Sequence, residues 1–441
     1  MQQPCYKIIY VFIILMLLQG CVPVTQQAGV EGGGGASYAE VPLRFEDYVY
    51  SPNIQSVQCY VQSGHPEEVL NPPVISLSQD QPIVLEFDQV NAQQQRFVAK
   101  LIYCDADWKE SRLTQSQYMP DLNEFYITDI SPSYNTKVPY FHYRFRVPPV
   151  KLSGNYLLVV ADQNGRNVLS RRILIYEQSV TVGATPNLTT GGNARFTNQQ
   201  VDFNIFYPQY QLVNPAQEVK VVLRQNFRWD NAKQNIKPLY VRETERRLEY
   251  NFFELQHTFL GLNEYRFFDN RTRRALGANV AAANREVVPE EIRLIPEKSR
   301  AKDPFSQQID INGRRVFGSR DFNNPLSSDY NWVTFQLAAP QPAPGNVYIF
   351  GELTGWKLND AFKMQYDATS QSYVGRVYLK QGYYNYSYAV QQGATAPDET
   401  YFEGSFSNTE NMYDILVYYR PPGTRTDLLI GYQVVPFNPR R

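Results

Sequence analysis

The sequence is poor in the residues that carry most enzymatic and metal chemistry. Its 441 residues include four cysteines and three histidines. His65, His142 and His257 lie far apart, with no second ligand at metal spacing. A Gly-x-Ser-x-Gly elbow and a phosphate-binding glycine loop are both missing, so the usual hydrolase and nucleotide signatures are absent. No catalytic residue, metal site or cofactor is assigned, and the chain reads as a non-enzyme. Charge of one sign is also scarce: 42 Lys and Arg stand against 43 Asp and Glu, a formal net charge of −1. Without a long like-charge run there is no electrostatic footprint for nucleic acid. No long stretch repeats apolar residues at a 3.6-residue period, which argues against a helical bundle.

What is present is aromatic and alternating. Aromatic residues make up 14% of the chain and tyrosine alone numbers 33. Tyr, Phe, Val and Ile suit pleated, half-buried surfaces, and runs such as Ile83-Val84-Leu85-Glu86-Phe87, Tyr156-Leu157-Leu158-Val159-Val160 and Val219-Lys220-Val221-Val222-Leu223 read as strands. Turn signals separate them at the short intervals of sandwich folds. Gln163-Asn164-Gly165 predicts a hairpin joining 156–161 to 172–176. Lys380-Gln381-Gly382 predicts another between 373–379 and 383–388, with Tyr384, Tyr386 and Tyr388 on one face. A last hairpin should pair Ile415 to Tyr419 with Leu428 to Tyr432. Only 275–293, rich in Ala, Asn and Glu, suggests a short helix.

The fold class is therefore all-β: two or three consecutive immunoglobulin-like or early-set β-sandwich domains behind a lipoprotein signal and a flexible tether. The expected boundaries are a signal at 1–20, a Gly-rich tether at 21–40, an N-terminal sandwich at 41–178, a middle β domain at 179–304 and a C-terminal early-set-like sandwich at 305–437.

The N-terminus sets the compartment. The apolar run from Ile8 to Leu18 falls short of the ~20 residues a membrane-crossing helix needs, and Leu17-Leu18-Gln19-Gly20-Cys21 has the form of a lipoprotein cleavage site. Cys21 is the expected lipid attachment residue. The Gly-rich tether after it has an r.m.s. reach on the order of 23 Å, which keeps the body near the membrane. No acidic residue directly follows Cys21, where lipoproteins exported to the bacterial surface carry them, so the expected location is the periplasmic face of the outer membrane. Cys5 leaves with the signal, so only Cys59 and Cys104 remain to pair in an oxidising compartment. Alternation turns Cys59 inward with Val57 and Val61, whereas Cys104 shares parity with Lys100 at a strand end. Two separate thiols are favoured over a disulfide.

Three clusters invite a chemical reading. Asp105 and Asp107 have the spacing of a carboxylate dyad or cation pair, with turn-capping as the plainer alternative. Glu403 and Glu410 bracket a loop, and a retaining glycosidase would need two carboxyls ~5 Å apart; solvated loop positions explain them better. The segment Val347-Tyr348-Ile349-Phe350-Gly351-Glu352-Leu353-Thr354-Gly355-Trp356 resembles the early-set module of glycogen- and starch-active proteins. Trp356 is thus the candidate glycan-stacking residue of an alternative reading, a glycan-binding outer-membrane lipoprotein of a polysaccharide uptake system. Packing of Trp356 within the protein is the simpler expectation.

Several motifs in order point elsewhere: Leu101-Ile102-Tyr103-Cys104-Asp105-Ala106-Asp107-Trp108, Ser133-Tyr134-Asn135-Thr136-Lys137-Val138-Pro139-Tyr140, Gln225-Asn226-Phe227-Arg228-Trp229-Asp230, Asn263-Glu264-Tyr265-Arg266-Phe267-Phe268, Asp310-Ile311-Asn312-Gly313-Arg314 and Glu403-Gly404-Ser405-Phe406-Ser407-Asn408. Together they resemble the type IX secretion system plug protein family of Bacteroidetes across the mature chain. Leu262 stands where that family would carry glycine. The resemblance implies a periplasmic, non-catalytic subunit that occludes the outer-membrane translocon barrel, its partners being that barrel and, through the N-terminal lipid, the membrane.

Overall fold

Alternating apolar residues assemble into three β-sandwiches in a computed structural model that describes residues 41–439 except 91, 190, 254 and 323. Cys21, the signal and the tether lie outside the described residues. In the first sandwich a six-stranded sheet runs Tyr48–Val49, Asn167–Tyr176, Gly154–Asp162, Phe97–Cys104, Phe125–Tyr126, with Val74–Ser76 parallel to Asn167–Tyr176. It faces a four-stranded sheet of Ile54–Val61, Ile83–Val90, Tyr140–Arg146 and Asp129–Pro132. Leu85, Phe87, Leu101, Tyr143, Tyr156, Leu158 and Ile173 fill the space between. The expected hairpin forms, with Arg172 opposite Leu157 and Ile173 opposite Tyr156. Leu157 and Val159 point to the other face of that sheet and are equally buried. An unbroken apolar run is what a strand covered on both faces requires.

The second sandwich is closed by the end of the chain. One sheet orders Thr181–Leu188, Asn198–Phe206, Arg247–Tyr250 and Tyr240–Arg242, with Phe259–Leu260 added beside Asn198–Phe206. The other orders Lys233–Ile236, Val219–Gln225, Asn411–Tyr419 and Leu428–Phe437. Val201, Phe203, Val221 and Leu223 meet Tyr413, Ile415 and Val417 in one core. The predicted last hairpin is present, but it belongs to this middle sandwich rather than to a 305–437 domain. The reason is an apolar edge: Val219–Gln225 needs an antiparallel neighbour, and Asn411–Tyr419 supplies it over its whole length.

The third sandwich is thereby an insertion in the second. Gly382–Gln391 is flanked by Arg266–Asp269 on one side and by Arg315–Phe317 and Asn346–Phe350 on the other. The facing sheet orders Val280–Asn284, Glu290–Leu294, Tyr330–Ala338, Ser372–Lys380 and Gln365–Asp367. Two sequence expectations fail here. The stretch expected to be helical is a pair of strands, because Val280, Ile292 and Leu294 enter the core at strand spacing. Helix among the described residues is limited to short turns such as Gln115–Tyr118 and Ala194–Thr197. Lys380-Gln381-Gly382 is not a hairpin turn either: Ser372–Lys380 pairs in one sheet and Gly382–Gln391 in the other. Gln381 fixes this change of sheet by donating from its backbone to the Asp329 carbonyl at 2.7 Å and from Nε2 to the Asn270 carbonyl at 3.2 Å. Tyr384, Tyr386 and Tyr388 do share the inward face, all at 1% exposure or less.

Candidate functional site

The three sandwiches meet at joints built from different chemistry, and Pro42–Arg441 forms one compact unit. Between the first and second the joint is apolar. Leu157, Val159 and Leu174 on the outer face of one sheet pack against Val222, Leu416, Tyr418 and Leu429 on the outer face of the other. The Tyr418 hydroxyl donates to Asn155 Oδ1 at 2.8 Å. At the margin Trp108 and Trp229 stack edge to face at 5.2 Å. The Arg172 guanidinium lies 4.5 Å from one ring and 5.0 Å from the other.

The joint between the first and third sandwiches buries charge beside an apolar and aromatic patch, in which Val90, Val138 and Tyr140 pack against Tyr330 and Tyr378. Asp88, 1% exposed, accepts from His142 Nδ1 at 2.8 Å, Tyr330 Oη at 2.7 Å and Lys380 Nζ at 2.5 Å. Burial alone would raise the Asp88 carboxyl, but Lys380 and His142 hold it below the ordinary range. Asp329 takes the backbone N–H groups of Lys137 and Val138 at 2.6 and 3.0 Å. Alternation puts Asp88 on the strand's outward face, where sequence reasoning has no cause to look for a buried charge; the third sandwich covers that face.

Second and third sandwiches meet beside two buried arginine–carboxylate clusters. Arg228 is 1% exposed and reaches both Glu399 and Asp230 at 2.6 Å, with its plane 4.1 Å over Trp356. Arg266 and Arg300 converge on Glu403 at 2.9 and 2.7 Å. Burial opposes the Glu403 charge, yet Arg266 and Arg300 keep its carboxyl below the usual value.

These contacts account for the residues picked out in the sequence. Trp356 is no open stacking platform: Arg228 covers its ring, and Tyr265 and Phe350 meet its edges at 6.0 and 5.8 Å. Asp105 and Asp107 do not act as a pair. Asp105 fastens the first sandwich to the last hairpin through Thr426 Oγ1 at 2.8 Å and Arg420 at 3.0 Å, while Asp107 pairs with exposed Lys109. Glu403 is buried structural charge, not a solvated loop residue, and Glu410 accepts from Asn312 at 3.2 Å. Cys59 and Cys104 are both free thiols. Cys104 packs in the apolar joint, whereas Cys59 lies against the first core on the opposite sheet. His65, His142 and His257 converge on no metal position, and no group of three or more metal-ligating side chains occurs among the described residues.

The family match falls in the first sandwich. Residues 54–177 match the type 9 secretion system plug protein 1st domain. The chain carries a type IX secretion plug domain. The match spans this sandwich from its second strand to the end of its last, including the Asp88 and Leu157 faces used in the joints. A hypothetical protein from Parabacteroides merdae is similar over 90% of this chain and 100% of its own, at 29% identity and a TM-score of 0.84. A solved structure from Corynebacterium diphtheriae aligns at 8% identity with a TM-score of 0.13 and informs nothing here. No curated protein matches the sequence. The plug family is a secretion-system family rather than an enzyme family, which assigns the chain a type IX secretion related role in the cell envelope. No helix among the described residues is long and apolar enough to cross a membrane.

Proposed function

We propose that this protein is a non-catalytic plug that seats against the periplasmic opening of the type IX translocon barrel and occludes it between substrates. The observation supporting this is the plug domain's integration into a larger body, with both of its outer faces gripped by neighbouring sandwiches through Leu157 and Val159 on one side and Asp88 on the other. A cover for a wide pore must resist deformation, and sandwiches joined through buried faces do so better than domains on linkers. Lipid on Cys21 would hold a displaced plug at the membrane and raise its effective concentration at the barrel rim. Binding needs only a reversible protein interface, a task suited to a chain rich in tyrosine. The glycan-binding alternative loses its support with Trp356 covered by Arg228.

The test is affinity purification of the tagged protein from solubilised outer membranes. The translocon barrel should be recovered with it, and repeated recovery without the barrel overturns the proposal. Protease added to intact cells should leave the protein uncut; digestion would contradict the periplasmic placement.

A further inference from the structure

Where the three sandwiches converge, they leave a cavity of about 510 Å³ lined by eight cationic side chains against four carboxylates. Much of that charge is neutralised. Arg224 is paired with buried Asp414, Arg228 with Asp230 and Glu399, and Arg44 and Lys357 share Glu46. The rest is not. Among the described residues the guanidinium nitrogens of Arg171, Arg172 and Arg315 have no carboxylate oxygen within 4.0 Å, and those of Arg314 reach only Glu352, at 4.0 Å; the nearby Asp47 and Glu352 accept instead from the backbone N–H groups of Arg172 and Arg315, at 2.6 and 2.9 Å. The guanidinium donors go to main-chain carbonyls: Arg171 to Tyr48 and Ser170, Arg172 to Phe45, Arg315 to Val57 and Arg314 to Leu70. Arg315 Nε is buried with no hydrogen-bond partner at all.

A buried guanidinium without a counter-charge is costly, and a carbonyl returns only part of that cost. Burial, with Arg315 as a like-charged neighbour, outweighs the more distant pull of Asp47 and Glu352 and holds Arg171 and Arg314 below the ordinary guanidinium value. Cys59 on the same wall cannot supply the missing charge, since burial pushes its thiol up to about 12. Arginine presents planar forks of N–H donors matched to oxyanions. Three of them drawn from two sandwiches offer more donors than the two oxygens of a carboxylate can accept. The volume falls within the ~300–1,000 Å³ of small-molecule sites and leaves room for a carrier group beside the anion.

We propose that this junction cavity binds a tetrahedral oxyanion, phosphate or sulfate, free or as a small ester, held by Arg171, Arg314 and Arg315. Because Arg171 belongs to the first sandwich and Arg314 and Arg315 to the third, the bound anion pins the two together. The assignment is independent of the plug reading.

The experiment is calorimetric titration of the intact protein with inorganic phosphate, sulfate, glycerol phosphate and acetate, at ionic strength held constant with sodium chloride. Saturable binding of phosphate or sulfate, with a concentration-dependent rise in melting temperature, is expected, and acetate should bind at least ten-fold more weakly. Tighter binding of glycerol phosphate than of inorganic phosphate identifies the ester as the preferred form; the reverse identifies the free ion. Arg171→Gln and Arg315→Gln should each weaken binding at least ten-fold. Glu352→Gln, which removes a negative charge from the same wall and keeps an acceptor for the Arg315 backbone N–H, should tighten it several-fold. A response to phosphate no greater than to chloride, acetate binding as tight as phosphate, or affinity unchanged in the Arg315→Gln and Glu352→Gln proteins would overturn the proposal.

Discussion

The two joints of the first sandwich bury similar strands by different means, the one with the third sandwich adding a buried charge cluster to its apolar patch. Against the second sandwich it offers Leu157, Val159 and Leu174 to Leu416, Tyr418 and Leu429. Against the third it offers Asp88, held by its own strand neighbour His142, to Lys380 and Tyr330. The apolar joint gains from the area removed from water and is indifferent to exact geometry. The charge cluster gains little net energy over an apolar equivalent, yet it tolerates few other arrangements, because each misplaced partner leaves a buried group unpaired. The apolar joint thus supplies adhesion, and the charge cluster sets the angle of the third sandwich.

This contrast is open to direct challenge. Asp88→Ala strands the Lys380 ammonium in a buried site and should cost about 3–5 kcal/mol in urea denaturation; a loss under 1 kcal/mol would remove Asp88 from the centre of that joint. Leu416→Ala at the apolar joint should cost about 2–4 kcal/mol, with no change in the effect between low and high salt. Acid should separate the joints without mutation. The carboxyls of Asp88 and Glu403 are held below their unfolded values near ~4. Their stabilisation is complete above that pH and is lost as pH falls through the lower folded-state values. Hydrogen exchange compared at pH 5 and pH 3 should therefore show Tyr330–Ala338 losing protection before Leu428–Phe437. Tyr418→Phe removes one hydrogen bond and leaves Asn155 Oδ1 without that partner, at a cost of about 1 kcal/mol. Phe253, 79% exposed, belongs to neither joint cluster, and Phe253→Asp should shift stability by no more than ~0.5 kcal/mol.

Sequence reasoning recovered what is local. The hairpins at 156–176 and 411–437 were legible because alternation and turn chemistry lie within one stretch of chain. The switch of sheets at Gln381 was not, since a short Gly-containing link serves a hairpin and a crossover equally well and only distant partners decide between them. The Ala-rich strand Val280–Asn284 was obscured by composition and by a register shift between Val280 and Ala282, which puts Val280 and Ala283, three residues apart, against the core. Leu262 was flagged by resemblance alone, and its backbone gives the reason: it sits at φ 58°, a conformation that favours glycine. Asp88 and Arg171 were invisible as site residues, and Glu403 was read as solvated, because a charge on an outward face or a loop reads as solvated until another sandwich is known to cover it.

A plug is defined by occlusion. The decisive measurement is the conductance of the purified translocon barrel in a planar bilayer, with this protein added to the periplasmic side. Conductance should fall in proportion to the protein bound and recover when it is washed away. Stable binding that leaves the barrel's conductance unchanged would contradict occlusion.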